Sequence, residues 1–369
     1  MTKLKYIFAS LTLFFIFQNF ASAQCCAGGS GCPIVGGMAE GVLSTGQFEL
    51  NTNYQYISSD KFYTGSKLDS NKYFDQFSST YQYFRIAYGL TKKFMISLES
   101  GYYFNKKEIG LNQDPSRTYS SKGISDLIIF PRYNVFTTST ETSKTELTVG
   151  LGIKLPVGTY NDSTGVVEPF SGSTFYLTNP QAVQLTSGAK DLIYYMFLFR
   201  GYPQKNLRLF CNAMYISKGW NPLGERIGDF ASVSLFASTS IYKKLAGTLQ
   251  LRGEWLDHMQ INEDILLYSY PNYDPEATGY KKVYVSPQLS YSVGKFAFYG
   301  SVDIPVYQNV VKTQVGTKIQ ASVGVSYRFN AMKEKKDELE LGGYVCPMHP
   351  EITSSFEADC PKCGMPLEN

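Results

Sequence analysis

The stretch Leu147-Thr-Val-Gly-Leu-Gly-Ile-Lys-Leu155 alternates strictly between apolar and other residues. Successive side chains of a β-strand point to opposite faces, so one face here carries leucine, valine and isoleucine. The other face carries threonine, glycine and lysine. An apolar face toward lipid and a polar face toward water are typical of a transmembrane barrel strand. The stretch therefore predicts a membrane-spanning strand with Lys154 directed into the barrel.

The same alternation recurs along the middle of the chain, for example over 245–255 and 319–329. We count about twelve such segments, a number that suits an antiparallel transmembrane β-barrel. Their centres lie near Thr52, Phe84, Leu98, Ile129, Leu151, Phe197, Phe210, Leu235, Leu251, Leu289, Phe298 and Val323. The fold prediction is all-β: a barrel of about twelve strands over residues 47–330.

The connections between segments support a barrel over a soluble β-sandwich, which shows the same period but no systematic asymmetry of its loops. Short turns follow the even-numbered segments, and long polar connections follow the odd-numbered ones. The long connections are 58–76, 105–122, 157–190, 217–228, 257–281 and 307–317. An even strand count places both chain ends on one side, which we expect to be the periplasm.

Composition agrees with this class. The chain has 29 tyrosines and 25 phenylalanines but only two tryptophans, and its net charge of +3 gives no reason to expect nucleic acid as a partner. Beyond the first residues, no segment has the eighteen or so apolar residues of a membrane-spanning helix. The expected partner of the barrel is outer-membrane lipid.

Alternation also predicts which charged residues face the barrel interior. These candidates are Arg85, Asp126, Arg132, Lys154, Arg208, Arg252, Glu254 and Arg328. They would line a polar conduit or, alternatively, form a ladder of salt bridges that stabilises the wall, since unpaired buried charge is costly. Met196 and Met214 are further candidates for the inner face.

The start of the chain has the features of a secretory signal peptide, predicted over residues 1–23. The mature segment 24–46 would then begin with Cys25, Cys26 and Cys32 in a glycine-rich context. These cysteines form either a second metal or thiol cluster or a disulfide, which the oxidising periplasm favours.

The tail contains two ligand pairs in a short stretch, and both pairs have two intervening residues. Cys346 and His349 form the first pair, and Cys360 and Cys363 form the second. A Cys₃His set is a common closed tetrahedral metal site, and thiolates select thiophilic ions such as Cu(I), Ag(I) or Zn(II). The thioethers of Met348 and Met365 are candidate extra ligands that favour Cu(I) or Ag(I). The alternative is a structural, zinc-ribbon-like module.

The tail residues Tyr344-Val-Cys-Pro-Met-His-Pro350 and Cys360-Pro-Lys-Cys-Gly-Met-Pro-Leu367 resemble the heavy-metal-binding domain of copper-transporting ATPases and copper/silver efflux adaptors. The resemblance implies heavy-metal binding through the four ligands over a domain at 344–369. A charged linker, 331–343, would tether this domain to the barrel.

Three barrel segments resemble the outer-membrane transporter family typified by phenol meta-pathway (MetA-type) proteins. They are Gly123-Ile-Ser-Asp-Leu-Ile-Ile-Phe-Pro-Arg-Tyr133, Leu151-Gly-Ile-Lys-Leu-Pro-Val-Gly158 and Gln184-Leu-Thr-Ser-Gly-Ala-Lys-Asp191. This resemblance implies an outer-membrane channel or transporter of about twelve strands.

Together these patterns predict an outer-membrane transporter whose periplasmic tail binds a thiophilic metal, copper foremost, with a periplasmic metal carrier or efflux component as a candidate partner. Two alternatives remain at this point: a barrel-anchored metal buffer, and a barrel for small hydrophobic solutes with a structural zinc tail. The sequence offers no catalytic residues, because His258 is the single histidine outside the tail and no Ser-His pair is in prospect.

Overall fold

The computed structural model describes residues 41–70, 72, 74–110, 118–167, 170–242, 244–262, 275–318, 320–331, 344–354 and 357–368. The strands in chain order are β1 Gln47–Ser59, β2 Phe62–Gly65, β3 Lys67–Asp69, β4 Gln76–Gly89, β5 Phe94–Ile109, β6 Thr118–Ile124, β7 Leu127–Ser139, β8 Lys144–Leu155, β9 Ser163–Val167, β10 Thr174–Thr178, β11 Asp191–Tyr202, β12 Leu207–Ser217, β13 Glu225–Arg226, β14 Phe230–Tyr242, β15 Leu245–Leu256, β16 Gln260–Ile261, β17 Tyr280–Val293, β18 Phe296–Val315, β19 Gln320–Asn330, β20 Tyr344–Cys346 and β21 His349–Ser354. Short 3₁₀ turns occur at Pro203–Lys205 and Pro275–Ala277. Within these ranges, no helix has the length and apolar character needed to cross a membrane.

Twelve long strands form one closed antiparallel barrel. In ring order they are β1, β4, β5, β7, β8, β11, β12, β14, β15, β17, β18 and β19. The ring closes between the first and last of these strands, in a register that runs from Gln47 opposite Asn330 to Ile57 opposite Gln320. Every predicted segment centre, from Thr52 to Val323, lies within one of the twelve strands. The predicted fold class is confirmed.

The two faces of the wall differ as the alternation predicted. On β8, Val149 and Leu151 are 38% and 56% exposed on the outside, whereas Thr148 and Lys154 are 0% and 1% exposed on the inside. Because large apolar side chains are exposed on the outside, the barrel presents an apolar outer surface that suits lipid.

The two ends of the barrel differ in their connections. At one end, here called the turn end, adjacent strands are joined by short links such as the turn at Pro203–Lys205 between β11 and β12. At the other end, the loop end, the connections are long and contain the short strands β2, β3, β6, β9, β10, β13 and β16. The predicted loop 307–317 is wrong, because β18 continues to Val315 and its far part pairs with β2.

Residues 180–189, here called the interior segment, fold into the barrel at the loop end. Val183 is fully buried and packs with Ile57 of β1 and Val315 of β18. The side-chain amide of Asn221, which follows β12, donates to the backbone oxygen of Ser187 at 3.0 Å. Since β12 lies across the ring from β1 and β18, the segment crosses the lumen. The sequence predicted only a long polar loop here.

Candidate metal centre

The metal module, defined here as the described residues 344–354 and 357–368, presents its ligands from two tight turns. Strands β20 and β21 pair antiparallel and bring Cys346 opposite His349. In the second turn the Gly364 amide donates to the Cys360 carbonyl at 2.7 Å, and Gly364 has a φ of 69°. This left-handed conformation favours glycine, which explains the residue after Cys363. Backbone bonds between Val345 and Glu368 join the two halves.

The four predicted ligands converge in a buried cluster, in which their donor atoms all lie within 4.8 Å of one another. The Cys346 and Cys363 sulfurs are 3.4 Å apart. The Nδ1 atom of His349 lies 3.7 Å from the Cys346 sulfur and 3.6 Å from the Cys360 sulfur. A tetrahedral ion with metal–sulfur and metal–nitrogen bonds of about 2.3 and 2.0 Å places its donors about 3.5 to 3.8 Å apart. The residues therefore fit a tetrahedral Cys₃His ion, with Nδ1 as the histidine donor.

The cysteines differ in their readiness to ionise. Hydrogen bonding to Cys360 raises the pKa of Cys346 to about 12, and burial raises the pKa of Cys363 well above its usual range. Burial also acts to raise the pKa of Cys360, but hydrogen bonds from the other two thiols hold it well below its usual range. Without metal the cluster thus holds one thiolate and two thiols, and an ion must displace protons to bind all three sulfurs.

Met348 and Met365 are buried beside the ligands, with 0% and 1% exposure. They belong to the apolar core of the module, together with the three cysteines and Leu367. Ala297 and Tyr299 of β18 pack into the same core. The module therefore completes its small core against the barrel wall.

The module lies across the turn end of the barrel and contacts both sides of the ring. On one side Gln47 of β1 donates its side-chain amide to the Met348 carbonyl at 2.9 Å. On the other side the Lys362 ammonium lies 3.5 Å from the Glu146 carboxylate of β8, and the Ser240 hydroxyl of β14 donates to the Gly364 carbonyl at 3.3 Å. The module contacts one arc of the ring that consists of β18, β19 and β1, and a second arc that runs from β8 to β14. The two arcs are separated by β4, β5 and β7 on one flank and by β15 and β17 on the other. The module thus spans the mouth.

One metal ligand contacts the wall directly. The Nε2 atom of His349 lies 3.0 Å from Nη1 of Arg328 on β19. The Arg328 guanidinium donates to the carboxylate of Glu49, which also accepts from Arg85 at 3.0 Å. A buried charge network of the barrel therefore ends at the metal centre.

The eight charged candidates all lie on the inner face, with exposures of 8% or less. Most form ion pairs. Lys154 lies 2.9 Å from Asp126 and 2.8 Å from Asp191 at the loop end. Arg252 lies 3.0 Å from Glu254 and 2.8 Å from Asp303. Arg132 is 3.6 Å from Glu99.

The prediction for Met196 is wrong, because this side chain is 44% exposed on the outer face. Strand register explains the difference: Met196 lies opposite Ala213, whereas Met214 lies opposite the buried Tyr195 and packs against the interior aromatic cluster. Cys25, Cys26 and Cys32, the signal peptide and nearly all of the linker lie outside the described residues.

Several charged residues of the barrel interior were not among the candidates, although the alternation of their strands indicates that they face inward. Glu49 lies between Phe48 and Leu50 on β1, and Glu146 directly precedes the alternating stretch on β8. Both fall on the polar face of their strand by period-2 counting. Lys362, inside the tail motif, carries no comparable signal, because its contact with Glu146 depends on where the module lies.

Residues 344–369 match the heavy metal binding domain family. A copper-transporting P-type ATPase of Rhizobium leguminosarum bv. viciae is 68% identical over 25 residues, which are 7% of this chain. The chain spans only 3% of the length of that relative. The likeness therefore covers a small part of each protein.

The barrel is similar to solved outer-membrane structures. An outer membrane channel of Pseudomonas putida F1 superposes with a TM-score of 0.57 at 12% identity, covering 78% of this chain and 97% of that one. The translocator domain of the autotransporter NalP of Neisseria meningitidis gives a TM-score of 0.41 at 13% identity, covering 78% and 89%. At 12% identity, the similarity to the Pseudomonas putida channel shows a shared fold and nothing more. The chain combines an outer membrane channel-like β-barrel with a C-terminal heavy metal binding domain.

Proposed function

We propose that this protein is an outer-membrane channel whose metal module binds a thiophilic heavy metal, copper foremost, and couples metal binding to transport or metal homeostasis. The observation that carries the proposal is the position of the Cys₃His cluster: it lies across the turn end of the barrel, with His349 in contact with Arg328 of the wall. A site placed there senses or hands over metal at the pore mouth. It has no open position for catalysis, since all four tetrahedral donors come from protein.

The donor set supports a soft ion. Three thiolates and an imidazole exclude Mg²⁺ and Ca²⁺, which need oxygen ligands. The buried thioethers of Met348 and Met365 beside the cluster favour Cu(I) or Ag(I) over Zn(II). The ATPase that resembles the module carries copper in its name.

Both ends of the barrel wall, Gln47 and Asn330, lie at the turn end, and we assign this end to the periplasm because bacterial barrels place their short turns there. The module, the linker 331–343 and the N-terminal cysteines would then share that compartment. A periplasmic metal carrier or efflux component is the partner that this arrangement suits.

A second candidate function is supported by the interior aromatic cluster. Phe197, Phe199, Phe210 and Phe236 line the inner face of β11, β12 and β14, and none is more than 3% exposed. An apolar inner surface of this kind suits small hydrophobic solutes, with the module then serving as a structural zinc site.

Planar-bilayer currents through the purified full-length chain separate these functions. We expect Cu(I) or Ag(I) under reducing conditions to change the current in the wild type, and to leave it unchanged in Cys360→Ser. The same samples are titrated with metal. If metal binds tightly but the currents are equal with and without it, the anchored buffer or the structural zinc site replaces the proposal. If no ion binds tighter than about micromolar, the metal role itself is wrong.

A further inference from the structure

Arg208 is a buried cation of the barrel wall at the start of β12. Its side chain lies on the inner face with 3% exposure. Its Nη2 atom donates to the Ser238 hydroxyl at 3.2 Å, but among the described residues neither Nε nor Nη1 has a hydrogen-bond partner. Nε of Arg252 also has no hydrogen-bond partner among the described residues, so Nη1 is the atom that distinguishes Arg208. A buried N–H of this kind indicates a partner that the described protein atoms do not supply.

This guanidinium faces the metal centre. A β-carbon placed on Gly364, the residue after Cys363, would lie 2.7 Å from Nη1 of Arg208. When ionised, Cys363, Cys360 and Asp359 of the module are the groups whose charge opposes that of Arg208. By contrast, Arg85 and Arg252 have barrel carboxylates within 3.0 Å. The counter-charge of Arg208 is thus supplied by the module, through Asp359 and through the cysteines once metal binding has converted them to thiolates.

The charge of a loaded centre depends on the ion. Three thiolates and a neutral imidazole leave one net negative charge around a divalent ion such as Zn(II), and two around a monovalent ion such as Cu(I) or Ag(I). A guanidinium a few ångströms away in a poorly solvated site stabilises the more negative centre more strongly.

We propose that Arg208 is a specificity-determining residue, supplied by the barrel, that biases the metal module toward monovalent thiophilic ions over divalent ones. The inference rests on the proposed function, because the four ligands must bind metal. It adds that a residue of the barrel wall favours monovalent over divalent ions. For an assumed separation of about 6 Å and an effective dielectric constant of about 20, one unit of charge difference changes the Cu(I)-to-Zn(II) affinity ratio by about 100-fold.

The test is a competition titration of Cu(I) against Zn(II) under reducing conditions, in the full-length chain with Cys25, Cys26, Cys32 and Cys211 replaced by serine to remove the thiols outside the cluster. The variants are Arg208→Gln, Arg208→Lys and Arg200→Gln. Arg200 is the matched control, since it lies in the same hairpin opposite Leu209 but on the outer face. Far-UV circular dichroism verifies that each barrel is folded.

We expect the Cu(I) preference to fall about 100-fold in Arg208→Gln, to be restored in Arg208→Lys, and to be unchanged in Arg200→Gln. An unchanged ratio in Arg208→Gln overturns the inference. So does a lowered ratio that Arg208→Lys fails to restore, because the effect would then come from packing rather than charge. The complete absence of tight metal binding in the parent chain would instead overturn the proposed function.

Discussion

Replacing Gly364 by alanine tests whether the module occupies the mouth of the barrel as described. The added methyl group would lie 2.5 Å from the Ser240 hydroxyl oxygen and 2.7 Å from Nη1 of Arg208. Both distances are about 1 Å shorter than normal contact, which begins at about 3.5 Å. Overpacking of this size costs about 2 kcal/mol, which corresponds to a loss of about 30-fold in the docking equilibrium.

The substitution also strains the backbone, because Gly364 has a φ of 69°. Gly172→Ala is the matched control: Gly172 has the same φ of 69°, and an added β-carbon there meets nothing within 4 Å. Both variants therefore carry the left-handed cost of about 1 to 2 kcal/mol, and only Gly364→Ala carries the collision with the wall.

The assay is the rate at which an amine-reactive reagent labels Lys362 in the folded full-length chain, followed by mass spectrometry. The Lys362 side chain is 11% exposed in the docked module and lies near Glu146. We expect labelling to accelerate at least about tenfold in Gly364→Ala and to remain at the wild-type rate in Gly172→Ala. Equal rates in the two variants would refute the docked position of the module.

Three further predictions concern the metal centre and the wall. Cys360→Ser should weaken metal binding by about 100-fold or more while the barrel stays folded. Cys211→Ser, which lies outside the cluster, should leave the metal affinity unchanged. Equilibrium dialysis measures both affinities, and equal losses in the two variants would contradict the assigned ligands. Because the pKa values of Cys346 and Cys363 are raised, both are thiols near neutral pH. Metal binding should therefore release about two protons per ion and weaken as the pH falls. Calorimetry in buffers of different ionisation enthalpy counts these protons, and a count near zero would exclude this protonation state. Lys154→Met should lower the free energy of unfolding by about 3 kcal/mol, because Asp126 loses its cation whereas Asp191 still pairs with Lys218 at 3.0 Å. Urea unfolding in lipid vesicles measures this change, and a loss below about 1 kcal/mol would show that these charges are not paired as described.

The barrel wall was predictable from sequence because its information is local. Each strand repeats with period 2 and must keep its apolar face toward lipid, so residues 147–155 alone specify a spanning strand and its inward side chains. The ligands were predictable for the same reason, since each pair has its own spacing of two residues. The extension of β18 to Val315 was missed because it depends on pairing with β2, about 250 residues away in the chain.

The position of the module and the path of the interior segment were not predictable from local patterns. The contacts that define the position of the module join residues far apart in the chain, such as Gln47 with Met348 on one side of the mouth and Glu146 with Lys362 on the other. Arg208 looks like any interior arginine in the sequence, and the lack of a hydrogen-bond partner at its Nη1 among the described residues becomes informative only when the three-dimensional neighbours are known. The alternation therefore predicts the strands and their faces, but it does not predict contacts between residues that are far apart in the chain.

The pairing of β1 with β19 determines an order of events during biogenesis. The module contacts Gln47 at the start of β1 and Arg328 near the end of β19, which adjoin only after the ring has closed. Its full docking surface does not exist on an open sheet. A docked module therefore reports that the seam between the first and last strands of the ring has formed.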